Sequence, residues 1–150
     1  MLRCRHREPV HTDQVRVEPG AGGTVLLLQK WVHDSTAWEA LPVAAQEQVI
    51  GRTKLDSVEL EDKPDDSHVA STDQERFGDI FRRNMPYGTV TDHGTMFVGF
   101  AATQRPLATM LESMAGLTSG TRDALTRYTH PLTGAYYFVP SADALRRISG

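Results

Sequence analysis

Six histidines and one adjacent pair of arginines are the residues of this chain best suited to chemistry. The histidines are His6, His11, His33, His68, His93 and His130, and no two stand in an H-x-x-x-H pair. Cys4 is the single cysteine, so neither a thiolate set for zinc nor a disulfide framework exists. His33 closes an apolar run and His130 precedes Pro131, which reads as structural or exposed, while His93 stands in a glycine-containing turn. His68 lies in an acidic stretch, where spacing alone reads it as solvent-exposed. The carboxylates around it, Glu59, Glu61, Asp62, Asp65 and Asp66, lack the alternation of a calcium loop and read as a solvated surface. Arg82 and Arg83 fall in a predicted strand, so their side chains leave opposite faces and one points inward. An inward arginine needs an anion, either a loop carboxylate or a bound ligand. Nucleophilic catalysis finds no support, because there is no G-x-S-x-G and Cys4 lies in an unpatterned arm.

These residues must be held by elements that the hydrophobic pattern outlines. Residues 1–23 carry no periodicity and end in Pro19-Gly20-Ala21-Gly22-Gly23, a flexible connector. Thr24 to His33 is a nearly continuous apolar run, a buried strand. Asp34 and Ser35 are cap residues for a helical segment holding Trp38, Leu41, Val49 and Ile50, broken at Pro42. Gly51 to Ser71 reads as a long loop, and Phe77 to Asn84 as a second strand. Turns follow at Pro86-Tyr87-Gly88 and His93-Gly94, then a third strand from Thr95 to Ala102. Leu107, Met110, Leu111 and Met114 recur at i, i+3, i+4 and i+7, an amphipathic helix ended by Gly116 and Gly120. Gly134 to Val139 is a fourth strand, and Ser141 caps a last short helix. The order βαββαβ predicts an α+β, ferredoxin-like fold, an antiparallel sheet with helices on one face.

Composition narrows the function class. The 150 residues are 39% hydrophobic and 23% charged, enough to bury a core. A net charge of −3 and a pI near 6.0 disfavour nucleic acid as a partner. No apolar run reaches the roughly 20 residues of a membrane span, and the first residues have no apolar core, so the expected compartment is the cytoplasm. Met85, Tyr87, Met96, Phe97, Phe100, Tyr136, Tyr137 and Phe138 suit a plain core or a cofactor pocket equally well.

Five longer motifs say more. Ile50-Gly51-Arg52-Thr53-Lys54, Asp66-Ser67-His68-Val69, Arg82-Arg83-Asn84-Met85-Pro86-Tyr87-Gly88, Arg122-Asp123-Ala124-Leu125 and Pro131-Leu132-Thr133-Gly134-Ala135-Tyr136-Tyr137-Phe138-Val139-Pro140-Ser141 occur in this order. Together they resemble the dye-decolourising (DyP-type) haem peroxidases, over roughly residues 22–148 and in that family's C-terminal part. The resemblance implies that residues 24–150 are a ferredoxin-like domain binding haem b. It implies His68 as iron ligand, Asp123 as the carboxylate on the ligand's other nitrogen, Arg82 and Asn84 on the peroxide side, and Arg52 on a haem propionate. Hydrogen peroxide and a dye-like or aromatic electron donor are the implied partners, with Tyr87, Tyr136 and Tyr137 as candidate electron relays. The family's distal aspartate motif has no counterpart in residues 1–23, so a chain lacking the N-terminal half is the expectation. A homo-oligomer or a separate N-terminal half stays open as a partner. The rival reading is a non-catalytic ferredoxin-like haem-binding or interaction domain.

Overall fold

The computed structural model describes residues 20–89 and 92–149. Four antiparallel strands form one sheet in the order β2-β3-β1-β4, where β1 is Thr24–His33, β2 Phe81–Gly88, β3 His93–Ala101 and β4 Thr129–Val139. This is the ferredoxin-like arrangement that the order of elements predicts. The 1–23 arm lies outside the described residues up to position 19.

β1 sits in the middle because it is the most apolar strand and has neighbours on both sides, β3 and β4. Its alternate residues Val25, Leu27 and Gln29 are buried and face the helices. There they join Ile80, Ala101, Leu107 and Met110 in one core, flanked by Phe77, Phe97, Leu111 and Met114. Leu107, Met110, Leu111 and Met114 belong to the amphipathic helix α5, Gln104–Met114, placed as its periodicity requires. The opposite sheet face carries Leu26, Leu28, Val98 and Phe100, all half-buried, with Met85 and Tyr137 exposed.

The first connection is α1, Ser35–Glu39, and α2, Val43–Ile50, separated at Pro42 as expected. Asp34 caps α1 by accepting from the Ala37 N–H at 2.9 Å. Gln46 fastens the break, since its buried amide donates to Trp38 O and Leu41 O and accepts from Lys54 Nζ. The acidic loop then leads into two single turns, α3 (His68–Ser71) and α4 (Gln74–Phe77). A 3₁₀ turn at Ala124–Arg127 precedes β4, and α6, Ala142–Ser149, follows it with Ser141 as cap.

Several boundaries differ from the sequence expectation: β3 starts at His93 rather than Thr95, and β4 at Thr129 rather than Gly134. Phe77 ends a helical turn, and the second strand starts at Phe81 and runs through Gly88. Pro86-Tyr87-Gly88 is therefore strand, not turn. Pro86 is tolerated because β2 is an edge strand among the described residues, and its missing N–H leaves no ladder bond broken inside the sheet. No helix among the described residues is long and apolar enough to cross a membrane.

Candidate functional site

His68 opens a one-turn helix that is pinned on both sides. Ser67, fully buried, caps it by accepting from the Ala70 N–H at 3.3 Å. Gly51, which ends α2 at φ 87°, presses on that cap; a Cβ there would lie 2.9 Å from Ser67 Oγ and 3.1 Å from Val69 Cβ. Glycine alone accepts both the left-handed backbone and this contact.

Asp123 meets His68 from the other end of the chain. Its side chain is fully buried, and Oδ2 lies 2.7 Å from His68 Nδ1. Oδ1 accepts from the Leu125 N–H at 2.9 Å, capping the 3₁₀ turn. Its backbone N–H donates to Met114 O at 3.0 Å, and the next N–H, of Ala124, donates to Asp66 O at 2.7 Å. A carboxylate only accepts, so Nδ1 carries a proton, and in the neutral ring the lone pair is on Nε2. Nε2 has no hydrogen-bond partner among the described residues.

That ring lines a cavity of about 1200 Å³ between the helices and the sheet. Arg82 enters from β2, in register with Gly99, over which Phe97 and Leu107 close so tightly that a Cβ would lie 2.9 Å from the Phe97 ring and 3.0 Å from Leu107. Its Nη1 donates to Thr72 O at 3.2 Å and approaches Met110 Sδ at 3.8 Å, and no carboxylate binds it among the described residues. The internal ion pair open at the sequence level is thus not what holds it. Burial first, then the nearby Arg52, depresses the guanidinium's pKa, against a smaller opposing pull from Asp73. Arg83 leaves the other way and packs over the Phe81 ring.

Asn84, exposed, shares a rung with Phe97 and also lines the cavity. Arg52 stands at the wall with its charge already engaged, by Ser57 O at 2.9 Å and Glu59 at 3.2 Å; Glu59 also meets Lys63 at 2.7 Å. The structure therefore brings His68, Arg82, Asn84 and Arg52 to one cavity, with Asp123 directly behind His68. The exposed position read for His68 from spacing alone is corrected, because Asp123, 55 residues away, draws the ring inward. Tyr87, Tyr136 and Tyr137 do not line the cavity.

Several lining residues carry no motif. Trp38 packs edge-on against Tyr128 at 5.4 Å, and Gln29, Trp31 and His33 project from β1. His33 approaches Thr95 Oγ1 at 3.3 Å, and His93 approaches Ser35 Oγ at 2.7 Å. His93 is thus a strand residue bonded across the cavity end, not a turn residue. Period-2 alternation from Val25 was the one signal that could have marked Gln29, Trp31 and His33 as inward.

The donor set fits a haem. The cavity exceeds the roughly 300–1,000 Å³ of ordinary small-molecule pockets. Phe97, Met110, Leu111 and Met114 give an apolar bed, His68 offers a free imidazole nitrogen backed by a carboxylate, and two arginines supply positive charge.

The family model for the C-terminal part of Dyp-type peroxidases matches residues 5–144. The span reaches into the N-terminal arm, upstream of the described residues. A dye-decolorizing peroxidase of Mycolicibacterium paratuberculosis is 40% identical over 134 residues, covering 83% of this chain and 38% of the relative. The dye-decolorizing protein of Vibrio cholerae superposes with a TM-score of 0.82 at 46% identity, covering 89% of this chain and 47% of that one. A DypB variant from Rhodococcus jostii, solved in complex with heme, gives 0.77 at 38% identity over 84% of this chain and 44% of its own. The chain thus spans less than half the length of each of these relatives. With the fold, the motifs and these matches in agreement, the chain belongs to the dye-decolourising (DyP-type) peroxidase family and corresponds to its C-terminal part.

Proposed function

We propose that this chain binds haem b through His68 Nε2 and forms the peroxide-reducing part of a DyP-type peroxidase. The observation that carries this is the His68–Asp123 pair, 2.7 Å apart, with the free nitrogen on the cavity that Arg82 enters. When bound, the haem supplies the iron at which the peroxide O–O bond is broken and the oxidising equivalents that organic donors then quench. Asp123 fixes the tautomer of His68 and makes its nitrogen more electron-donating. Arg82 stabilises the negative charge that develops on the departing peroxide oxygen. Asn84 orients the peroxide from the same strand. Arg52, held by Glu59, leaves part of its guanidinium for a propionate. No carboxylate binds Arg82 among the described residues, so its charge stays available to a ligand in the cavity. Per turnover one hydrogen peroxide takes two protons and two electrons, one from each of two aromatic donors, and leaves as two waters. The proposed compartment is the cytoplasm, in keeping with a single cysteine in 150 residues.

Haem titration of the chain and of His68→Ala, followed by absorbance, tests this reading. A histidine-ligated ferric spectrum in the parent and its loss in the variant is the expected result. Equal uptake by both, or by neither, would make the chain a non-catalytic ferredoxin-like domain.

A further inference from the structure

Gln29 is out of keeping with its surroundings. It is 9% exposed, at the centre of the middle strand, and lines the cavity. Its side-chain amide makes no hydrogen bond among the described residues, whereas the other buried glutamine, Gln46, is satisfied by three. A buried carboxamide without partners is a standing cost. Leucine would fill the same position without it, as Leu27 does at the preceding inward site. The fold also makes room for this amide. Gly134 lies directly opposite on β4, and a Cβ there would come within 3.2 Å of Gln29 Cγ and 3.4 Å of Nε2.

The register says what the amide faces. Asn84, Phe97 and Gln29 form one rung across β2, β3 and β1, and Arg82 lies in the next rung, beside Gly99. Asn84, Gln29 and Arg82 all line the cavity, as does Thr95, two residues along β3 from Phe97 on the same face. His68 approaches the same cavity from α3, on the helix side. With His68 on the helix side, the carboxamides of Gln29 and Asn84 would face a small ligand held in the same cavity.

We infer that Gln29 is a third ligand-binding residue of the sheet wall, hydrogen-bonding the small oxygen or anionic ligand that Arg82 and Asn84 address. A carboxamide both donates and accepts, so Gln29 holds a water or a peroxide oxygen without bringing a charge of its own. The inference rests on haem ligation by His68, and its test separates the two.

The probe is fluoride, a small hydrogen-bond acceptor, titrated into the haem-loaded chain and followed by absorbance. Gln29→Met, which keeps length and removes both polar atoms, is expected to bind fluoride roughly tenfold or more weakly. In the haem-free chain the same variant is expected to melt at the parent's temperature or higher, since it removes an unpaired buried amide. A merely structural glutamine would do the reverse, lowering the melting temperature and leaving fluoride alone. Gln29→Glu, of the same shape but able to repel the anion, carries the test if the methionine variant does not load haem. Fluoride affinity within twofold of the parent, in whichever variant loads haem, overturns the inference. A parent that shows no histidine-ligated spectrum overturns the reading of His68 instead.

Discussion

His68 donates from Nδ1 to Oδ2 of Asp123 across 2.7 Å, while the other oxygen of the same buried carboxylate caps the 3₁₀ turn through Leu125. One side chain thus orients the histidine and anchors the segment that supplies the orientation. The two oxygens are separable by substitution. Asp123→Asn keeps an acceptor for the cap and weakens the hold on His68; haem affinity is expected to fall about 10- to 100-fold with little loss of stability. Asp123→Ala removes both and is expected to cost a further ~1–2 kcal/mol, read from urea midpoints. Equal haem affinity in the parent and Asp123→Asn would show that the carboxylate is not what prepares the histidine.

Arg82 is a cation held by a carbonyl and a thioether, with no carboxylate bound among the described residues. Its presence costs the fold desolvation that no ion pair returns. Arg82→Leu is therefore expected to leave thermal stability unchanged or raise it. The same variant is expected to slow the reaction of peroxide with the haem-loaded chain by about 10²–10³. Stopped-flow absorbance and a melting curve on one preparation check both.

Gly51 lies well upstream of His68 in the chain but touches the cap of the His68 turn. Gly51→Ala would force φ 87° on a residue with a Cβ and push it to 2.9 Å from Ser67 Oγ. A loss of about 1–3 kcal/mol is expected from chemical denaturation. Weaker haem binding should accompany it, because Ser67 directly precedes His68.

His33 gives the pH dependence. Burial, and next the neighbouring His93, depress its pKa below the ordinary 6.5. Near that value the unfolded chain binds more protons at this site than the folded one, so stability is fully present above 6.5 and is lost as pH falls towards the folded value. The melting temperature should drop on acidification below about pH 6.5, and His33→Gln should drop less. Parallel pH profiles for the two proteins would remove His33 as a contributor.

Much of this was legible in the residues. β1, α5 and the break at Pro42 follow from local period and from proline chemistry, and each lies where its pattern demands. β2 was displaced by several residues because its apolar content is low. Arg82, Arg83 and Asn84 interrupt the alternation, and Pro86 imitates a turn. The site was harder to see. His68 depends on a partner 55 residues away, and nothing within the acidic loop announces it. Only motif resemblance brought His68, Asp123, Arg82, Asn84 and Arg52 together, and it passed over Gln29, which has no motif. Its signal was a polar residue at an inward position of an apolar strand.

The strand order has a consequence for which wall of the cavity loosens first. β1 and β3 are laddered on both sides, but β2, which bears Arg82 and Asn84, pairs only with β3 among the described residues. In amide hydrogen exchange the outward N–H groups of β2 and of β4, the other edge among the described residues, should therefore exchange first and those of β1 last. The arginine wall sits on an edge of the sheet, whereas the His68 turn is tied down by Ser67, Gly51 and Asp123. Exchange protection is therefore expected to be lost on the Arg82 wall before it is lost on the wall that carries His68.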